Sequence, residues 1–481
     1  MSTGPGTEAL RLPDLPAAVS AVLERLIAGD HEAALVGGCV RDLLRGGRPL
    51  DWDVATSAAP ETVVALFPGA TWENRFGTVT VRLKPGRQPI EVTTYRVEGS
   101  YRDHRRPDEV RWGSSLREDL ARRDFTINAA AWVPTDLDRG DGRLVDPYGG
   151  RRDLERRLLR AVGDPDERLA EDALRLVRAV RFAARFDLAL DPATETAIRR
   201  HARAAADLSG ERVRDELLRI LGAHDALRPP SAALLAMEEL GLLAVILPEL
   251  SALRGVPQAK AIDGDALDHS LLTGDALPPD DPFLRLIGLL HDVGKASTLT
   301  DGHFYGHETV GARMVEAILR RLHFPKDEVA RGHHLVRQHM FAYSSEWTDG
   351  AVRRFVRRVG AAALPELFDL RRADNVASGV TEPPIGGLDE LRSRIGVELA
   401  THPLSARQLV VHGDDLVAEL GIDPGPIVGR LLHRLLEAVL DDPSRNERAT
   451  LLQLARRWAA EEHDGDSVHH RGMGLAPGDR P

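Results

Sequence analysis

The sequence contains one cysteine, very few lysines and no long apolar run. A single cysteine, Cys39, among 481 residues excludes an internal disulfide and favours a reducing, cytoplasmic compartment. No apolar run approaches the roughly 20 residues that a membrane helix needs. The first residues, MSTGPGTEALRLPDLP, lack the charged and apolar regions of a secretory signal peptide. We therefore expect a cytoplasmic protein without a membrane partner.

The basic charge comes almost entirely from arginine, while the net charge is −11. An acidic total argues weakly against a nucleic-acid partner, but binding depends on local patches and not on the whole-chain sum. Arginine suits bidentate contact with phosphate, although a GC-rich genome would produce the same bias. The composition is that of a globular chain, and the length predicts about two to four domains.

The periodicity of apolar residues changes near residue 150. Before that point, strand patterns (HEAALVGG, WDVAT, GTVTVRL and IEVTTYRV) alternate with helical ones (CVRDLLRG and PETVVALF), which predicts a small α/β domain. From about 151 to 460 the pattern is helical, with breaks at proline pairs. The polar ends, 1–14 and 462–481, are predicted to be disordered.

The stretch from Gly37 to Thr56, GGCVRDLLRGGRPLDWDVAT, combines a glycine turn with two nearby aspartates. Asp51 and Asp53 are two apart, so on a strand they project from one face. Two close carboxylates suit Mg²⁺ held together with substrate phosphates. Gly37-Gly38 permits close approach of a phosphate, and Arg41 follows in the first helical turn. A lone D-x-D is usually a strand end or a turn, but the ordered combination is more specific.

These residues resemble motif A of the class II tRNA nucleotidyltransferases, members of the DNA polymerase β-like superfamily. The other family motifs follow in order. They are RRDFTINAAA (122–131) for motif B, DPYGG (146–150) for motif C, EDALRLVRAVRFAARF (171–186) for motif D and GERVRDELLRIL (210–221) for motif E. The family includes CCA-adding, CC-adding and A-adding enzymes and bacterial poly(A) polymerases.

Motif D can be interpreted in two ways. Asp164 and Pro165 predict a helix start, and arginines three and four residues apart then form a stripe. By itself this could be an Asp172–Arg175 ion pair beside a solvated arginine face. The resemblance instead implies that Asp172 and Arg175 select the base. It assigns binding of the incoming nucleotide to Arg178 and Arg181, together with Gly38, Arg41 and Arg123.

A third carboxylate is common in this superfamily, and Glu91 in PIEVTTYR is our candidate, with a solvent-facing strand residue as the alternative. The segment 98–115 resembles the flexible loop of the family, which is tied to the switch from C to A addition and so favours CCA addition over CC addition. Ser115 and Glu118 have the spacing of a capping box at its end.

A second motif begins with FLRLIGLLHDVGK (283–295). His291 and Asp292, with His269 upstream and Asp374 downstream, resemble the H…HD…D order of the HD phosphohydrolases. Mixed His/Asp ligands suit a divalent transition metal, whose identity stays open. A second metal position could be completed by His307, His333, His334 or His339, each of which could equally be a surface or core histidine. The HD site could also be vestigial.

The predicted fold is α+β, with a polymerase-β-like nucleotidyltransferase head followed by an all-α neck and an all-α HD domain. The predicted regions are a disordered N-terminus (1–14), the head (15–150), a helical neck that binds RNA (151–260), the HD domain (261–400), a helical C-terminal region (401–461) and a disordered tail (462–481).

The predicted function is template-independent CCA addition to tRNA from CTP and ATP. Asp51 and Asp53 would hold two Mg²⁺, and the HD domain would act as a phosphatase or 2′,3′-cyclic phosphodiesterase. Within the family, an A-adding enzyme or a poly(A) polymerase stays open. From other classes, the alternatives are an HD phosphohydrolase with an RNA-binding head and a regulatory RNA-binding module with both sites silent. Oligomeric state is open.

Overall fold

The computed structural model describes residues 7–12, 14–72, 77–83, 89–98, 110–112, 115–223, 225–258, 260, 262–380 and 387–470. The strands in this part of the chain are β1 (Thr7–Arg11), β2 (Ala33–Val36), β3 (Asp53–Thr56), β4 (Thr78–Val81), β5 (Ile90–Thr94), β6 (Arg96–Glu98), β7 (Val110–Trp112), β8 (Ala131–Asp136), β9 (Asp141–Val145), β10 (Leu158–Leu159), β11 (Ala189–Leu190), β12 (Leu299–Thr300) and β13 (His303–Phe304).

Helices dominate the rest. They are α1 (Ala17–Ala28), α2 (Gly38–Leu44), α3 (Pro60–Leu66), α4 (Leu116–Ala121), α5 (Gly150–Glu155), α6 (Pro165–Glu171), α7 (Leu174–Phe186), α8 (Pro192–His201), α9 (Gly210–Leu221), α10 (Pro230–Glu239), α11 (Leu243–Ile246), α12 (Pro248–Ser251), α13 (Ala266–Ala276), α14 (Pro282–Leu290), α15 (Lys295–Thr298), α16 (His307–Arg321), α17 (Lys326–Gln338), α18 (Asp349–Val359), α19 (Leu364–Ala377), α20 (Leu388–Thr401), α21 (Gly413–Leu420), α22 (Pro426–Asp441) and α23 (Arg448–His470). Among the described residues, none of these helices combines the length and the apolar character that crossing a membrane requires.

A seven-stranded mixed sheet forms the N-terminal domain, in the order β1-β9-β8-β2-β3-β5-β4. All four strand patterns of the sequence are found in it, so the prediction of an α/β head is confirmed. Strands β3 and β5 are neighbours in this sheet and run parallel, with Asp53 opposite Glu91. This register brings the end of the D-x-D pattern beside the candidate third carboxylate.

The predicted disorder of residues 1–14 is wrong for Thr7–Arg11. This segment forms edge strand β1, antiparallel to β9, with Thr7 opposite Val145 and Arg11 opposite Asp141. Its polar composition suggested a tail, but a strand at a sheet edge needs only one buried face, and the backbone bonds to β9 hold it in place.

The opposite end of the chain also departs from prediction, because helix α23 continues to His470. Disorder was predicted from residue 462. Leu451, Ala455 and Trp458 pack into a C-terminal core, and helix propagation adds one backbone hydrogen bond per residue beyond such an anchor. Residues 471–481 lie outside the described part of the chain.

The helical regions contain two separate cores. One continuous core runs from Phe125 to Ile395 and joins the neck to the HD region without interruption. A smaller core between Leu409 and Trp458 belongs to the C-terminal helices. The neck and the HD region therefore support each other, whereas the C-terminal helices have a core of their own.

Motif D is not one helix, as its pattern suggested, but two. The Asp164 side chain caps α6 as predicted, accepting from the backbone N–H groups of Asp166 and Glu167. At Asp172 the backbone is extended, with ψ 108°, and the carboxylate accepts a 3.0 Å bond from the N–H of Leu174. An aspartate that binds nearby backbone in this way competes with helix continuation, so the break places Asp172 at a corner.

Candidate functional site

A cavity of about 1510 Å³ opens between the head sheet and helices α7 and α9, and Asp51, Asp53 and Glu91 all line it. Asp53 is largely buried, and this burial raises the pKa of its carboxyl to about 6; Arg123 opposes the shift, while Glu91 and Asp51 add to it. A bound cation would offset the repulsion of Asp53 by the neighbouring carboxylates, and an all-oxygen ligand set suits a hard ion. The donor set therefore fits a divalent metal.

Arginine dominates the walls of this cavity, although the chain is acidic overall. The arginines that line it are Arg41, Arg45, Arg48, Arg96, Arg122, Arg123, Arg175, Arg178, Arg181, Arg185, Arg212 and Arg219. The structure brings together all seven residues predicted to bind nucleotide, since Gly38, Asp172 and five of these arginines line the same space. Such a wall can neutralise a triphosphate and an RNA backbone at once.

The first glycine of motif A has a backbone conformation that other residues rarely adopt. Gly37 has φ +72°, and a Cβ added there would lie 2.5 Å from Nη1 of Arg123 and 3.7 Å from Oδ2 of Asp53. Positive φ favours glycine, and the missing side chain lets the Arg123 guanidinium approach the Asp53 carboxylate. Motifs A and B are thus interlocked at this point.

A chain of hydrogen bonds links motif A to motif D through two residues of motif B. Arg41 Nη1 donates to Asn128 Oδ1 at 2.7 Å, and Asn128 Nδ2 donates to Asp124 Oδ1 at 3.1 Å. Arg178 Nε donates to Asp124 Oδ2 at 2.8 Å. Although burial favours the neutral acid, the Arg178 guanidinium lowers the pKa of Asp124 to about 2. The ionised carboxylate therefore fixes the orientation of Arg178.

Motif E supplies a second fixed anion, Glu216, which is fully buried. Arg181 Nε donates to Glu216 Oε2 at 2.6 Å, and Arg219 Nη1 donates to Oε1 at 2.8 Å. Burial lowers the pKa of Arg181 to about 10 despite the opposing charge of Glu216. One carboxylate thus holds two cavity arginines in place.

Asp172 and Arg175 both line the cavity but do not pair with each other, so the ion-pair alternative for motif D is wrong. Arg212 of α9 donates to Asp172 Oδ2 at 2.7 Å, while Arg175 pairs with Glu171 and donates to the Arg122 carbonyl at 3.1 Å. The helix break separates their side chains and gives each a different partner.

Sequence reasoning did not single out Asp124, Asn128, Arg212 and Glu216. The available signal was their position inside motifs B and E, whose charged residues had no assigned partner. The Ser115 cap is found, with Oγ accepting from the N–H of Glu118 at 3.3 Å. Within the predicted flexible loop, β6 and β7 pair antiparallel, while residues 99–109 and 113–114 lie outside the described part of the chain.

A second cluster lies in the helical region, and all four predicted HD residues take part in it. We call it the HD cluster; its members are His269, His291, Asp292, His307, His339 and Asp374. Three imidazoles surround Asp292: the Nε2 atoms of His291, His307 and His339 lie 3.2, 3.3 and 3.7 Å from its carboxylate. The Nε2 atom of His269 lies 3.1 Å from Asp374. Every member is at least nine-tenths buried.

Three imidazoles of the HD cluster are held in the tautomer that a metal requires. The Nδ1 atoms of His291, His307 and His339 donate to backbone carbonyls three residues earlier, at 2.6–2.8 Å. Their Nε2 atoms are buried and have no hydrogen-bond partner among the described residues. An Nδ1–H held by a carbonyl leaves the Nε2 lone pair for a metal. The donor set therefore fits a divalent transition metal.

Of the four additional histidines, the structure brings two to the HD cluster and leaves two outside it. His334 Nε2 donates to the Val359 carbonyl at 2.7 Å, and His333 lies outside the metal-binding groups of the described residues. Two lysines that sequence reasoning did not single out also belong here. Lys295 Nζ lies 2.5 Å from Asp292 Oδ2, and Lys260 Nζ lies 2.6 Å from His269 Nε2.

Comparison with protein families finds three consecutive matches. Residues 33–160 match the Poly A polymerase head domain, residues 187–253 match the "Probable RNA and SrmB- binding site of polymerase A", and residues 266–379 match the HD domain. Fold and site thus define a polymerase-type nucleotidyltransferase head joined to an HD domain. Both parts imply the use of divalent metal.

Similarity to curated proteins shows which family of this class the chain belongs to. The chain is 36% identical to the A-adding tRNA nucleotidyltransferase of Deinococcus radiodurans, across 89% of this chain and 96% of that protein. It is 44% identical to the CCA-adding enzyme of Geobacillus kaustophilus, across 89% and 93%. Among solved structures, the Bacillus stearothermophilus CCA-adding enzyme in complex with CTP matches with a TM-score of 0.66 and 29% identity, across 92% and 98%. The chain belongs to the tRNA nucleotidyltransferase family.

Proposed function

We propose that this chain builds or repairs the 3′ CCA end of tRNA from CTP and ATP, without a nucleic-acid template. The observation that carries the proposal is the meeting of Asp51, Asp53 and Glu91 in a cavity lined by twelve arginines. Relatives named CCA-adding enzymes match along most of their length, and a similar structure contains CTP. The cytoplasmic location expected from the single cysteine stays a prediction.

In this proposal, Asp51 and Asp53 would hold two Mg²⁺, with Glu91 beside them. Bound there, the ions would activate the RNA 3′-hydroxyl for attack on the α-phosphate and stabilise the charge of the leaving pyrophosphate. The protein itself contributes position and charge. Arg41 and Arg178 face the cavity from opposite ends of the Asn128–Asp124 chain, so a triphosphate between them meets donors whose orientation is already set.

Base choice would fall to Asp172 and Arg175. Cytosine and adenine both offer an amino group beside a ring nitrogen acceptor, which a carboxylate and a guanidinium can match. Uracil and guanine present a carbonyl in place of the amino group, opposite an acceptor. Arg212 Nη2 donates to Asp172 Oδ2 at 2.7 Å, which fixes the position of the carboxylate that would accept from the amino group.

Three tRNA substrates test the product. We expect tRNA lacking CCA, tRNA ending in C and tRNA ending in CC all to be extended to CCA and no further, in assays with Mg²⁺ and labelled CTP and ATP. Extension of the CC-ending tRNA alone would show an A-adding enzyme, like the full-length relative from Deinococcus. Long A tails would show a poly(A) polymerase, and no extension of any substrate would contradict the proposal.

For the second site, we propose that the HD cluster is a metal-dependent phosphohydrolase that acts on phosphoester ends of RNA or nucleotides. Support comes from the buried imidazoles whose Nε2 lone pairs face Asp292. Asp292 and Asp374 supply the carboxylates of this cluster, with His307 Nε2 3.3 Å from Asp292 and His269 Nε2 3.1 Å from Asp374. When bound, a divalent transition metal would supply a Lewis acid and a nucleophilic water.

The test is hydrolysis of 2′,3′-cyclic nucleotides and phosphomonoesters by the full chain with Mn²⁺, Co²⁺ or Ni²⁺. We expect Asp292→Asn to abolish hydrolysis and leave nucleotide addition unchanged. Hydrolysis that persists in this variant would assign the activity to another site or to a contaminant. Absence of hydrolysis in the wild-type protein with every metal would support a vestigial HD site.

A further inference from the structure

The HD cluster offers two places for a cation, and they share His291. The first position lies between His269, His291 and Asp374, and the second lies between His291, Asp292 and His339, with His307 alongside. Asp292 joins the two, since its Oδ2 lies 3.6 Å from Nε2 of His269 and its Oδ1 lies 3.3 Å from Nε2 of His307. Ligand atoms around one ion lie about 3–3.5 Å apart when each bond is about 2.1 Å, so both positions have suitable dimensions.

The two positions differ in one respect, which is the presence of Lys260. Its Nζ lies 2.6 Å from Nε2 of His269 and 3.3 Å from Oδ1 of Asp374. An ammonium group therefore already contacts the imidazole nitrogen and the carboxylate that a metal at the first position would need. The Nε2 of His269 is accordingly absent from the buried unpaired nitrogens of the described chain.

Among the described residues, no ammonium or guanidinium group bridges the ligands of the second position as Lys260 bridges those of the first. Within the HD cluster, the buried nitrogens that have no hydrogen-bond partner among the described residues are the Nε2 atoms of His291, His307 and His339, and these face Asp292. Lys295 contacts Asp292, but at Oδ2, which is the oxygen turned toward the first position. Asp292 Oδ1 thus remains available to a metal together with His307 and His339.

Space around Lys260 is also limited. The pocket lined by Gln258, Lys260, Asp265 and His269 has a volume of about 10 Å³, close to the least that one water occupies. The Lys260 side chain is about one-fifth exposed. The ammonium is therefore built into the cluster and is not a solvent-facing side chain that happens to lie nearby.

Lysine is rare in this chain, which makes its use here notable. Only four lysines, Lys84, Lys260, Lys295 and Lys326, occur among 63 basic residues, and two of the four contact the HD cluster. An ammonium is a compact point charge that fits between two ligands, whereas the planar guanidinium of arginine is larger.

We propose that the HD centre is a hybrid centre, in which one divalent transition metal occupies the second position and the Lys260 ammonium takes the place of an ion at the first. The proposal rests on the proposed metal-binding role of the HD cluster. In this centre a phosphate group would meet a metal on one side and a fixed ammonium on the other. His307 and His339 then become principal ligands, while His269 and Asp374 hold Lys260.

Metal stoichiometry of the full-length protein tests this proposal. We expect one Co²⁺ per chain in the wild-type protein, measured by binding titration and elemental analysis in excess Mg²⁺. Mg²⁺ occupies all-carboxylate sites such as that of the head, while imidazole ligands select the transition metal. We expect two Co²⁺ in Lys260→Met, one in the exposed-lysine control Lys326→Met, and none in the double variant His307→Ala/His339→Ala. Circular dichroism and melting curves verify folding.

The outcomes separate the inference from the function on which it rests. Two Co²⁺ in the wild-type protein, or one in folded Lys260→Met, would overturn the hybrid centre and leave the HD metal site standing. No Co²⁺ in the wild-type protein would overturn both.

Lysine acetylation followed by mass spectrometry gives a second measurement, independent of activity. We expect Lys260 to react much more slowly than Lys326, both with and without Co²⁺. Faster reaction of Lys260 when Co²⁺ is added would show that the metal displaces the ammonium, which contradicts the proposal.

Discussion

The head cavity and the HD cluster both gather acidic side chains, but they differ in ligand chemistry, in space and in supporting structure. In the head, Asp51, Asp53 and Glu91 are among the acidic residues that line a cavity of about 1510 Å³, whereas the pocket beside His269 has only about 10 Å³. The candidate ligands in the head are oxygens carried near strand ends, and the candidate ligands of the HD cluster are mainly imidazoles on or next to helices.

This difference matches the two chemistries. A site that holds an RNA end and a nucleoside triphosphate needs volume and many arginines, and its hard ion arrives with substrate phosphates. A site built from imidazoles held by backbone carbonyls is organised before any substrate binds. Because the two sites use different ligands on separate structural elements, we expect that each can be inactivated without the other.

The largest expected effect is the loss of nucleotide addition in Asp53→Ala. Removal of a metal-binding carboxylate should lower the rate about 1000-fold or more, since metal stabilisation of the transition state contributes several kcal/mol. Asp51→Ala should behave similarly. Transfer RNA binding, measured by filter binding, should change little because affinity rests on phosphate contacts elsewhere. A near wild-type rate in either variant would falsify the metal assignment.

The reciprocal experiment uses Asp292→Asn, which retains size and removes charge. We expect Co²⁺ affinity at the HD cluster to fall at least about 100-fold. Replacement of a residue that only supports a metal ligand already lowers metal affinity by about 10- to 100-fold. CCA addition should remain at the wild-type rate. If addition falls in parallel, the two sites are coupled and the comparison fails.

Base selectivity should change by a smaller amount. In Asp172→Ala, incorporation of UTP or GTP relative to CTP should rise about 10- to 100-fold, since a mismatched buried polar contact costs about 1–3 kcal/mol. Single-nucleotide addition with each NTP measures this. Arg212→Ala is the matched control, because it removes the partner of Asp172 and retains the carboxylate. Wild-type selectivity in Asp172→Ala and Arg175→Ala would assign base choice to other residues.

The smallest expected effect concerns pH. Because the pKa of Asp53 is raised to about 6, the carboxyl is protonated below that pH and loses its charge for the metal. The Mg²⁺ concentration for half-maximal addition should therefore rise by up to about tenfold per pH unit below 6. Glu91 contributes to the raised pKa of Asp53. In Glu91→Gln, the rise in the required Mg²⁺ concentration should therefore begin at a lower pH. If the rise begins at the same pH in Glu91→Gln as in the wild-type protein, the titrating group is not Asp53.

The two sites also differ in how much of each could be predicted. All ten head residues named from sequence line one cavity, because short contiguous motifs carried them. In the HD region, the four residues of the H…HD…D pattern lie in one cluster, but the pattern could not separate His307 and His339 from His333 and His334. Helix α17 carries His333 and His334 away from the cluster, and this depends on how the helices pack.

The predictions were least accurate at the edge of the sheet and at the ends of helices. The strand Thr7–Arg11 depends on β9, more than a hundred residues later, so its own composition suggested a tail. The break between α6 and α7 depends on the carboxylate of Asp172 binding the backbone at Leu174, which competes with a helical pattern that is otherwise unbroken.

By itself, the sequence determined the local arrangements, because backbone geometry sets them over a few residues. The D-x-D spacing brings Asp51 and Asp53 to the same cavity, although β3 begins only at Asp53, and Gly37 supplies the positive φ before α2. Only the tertiary structure decided which cation neutralises which acid. Arg181 finds Glu216 across 35 residues, and Lys260 finds Asp374 across 114. These pairings follow from the packing of separate helices and loops, which no short motif specifies.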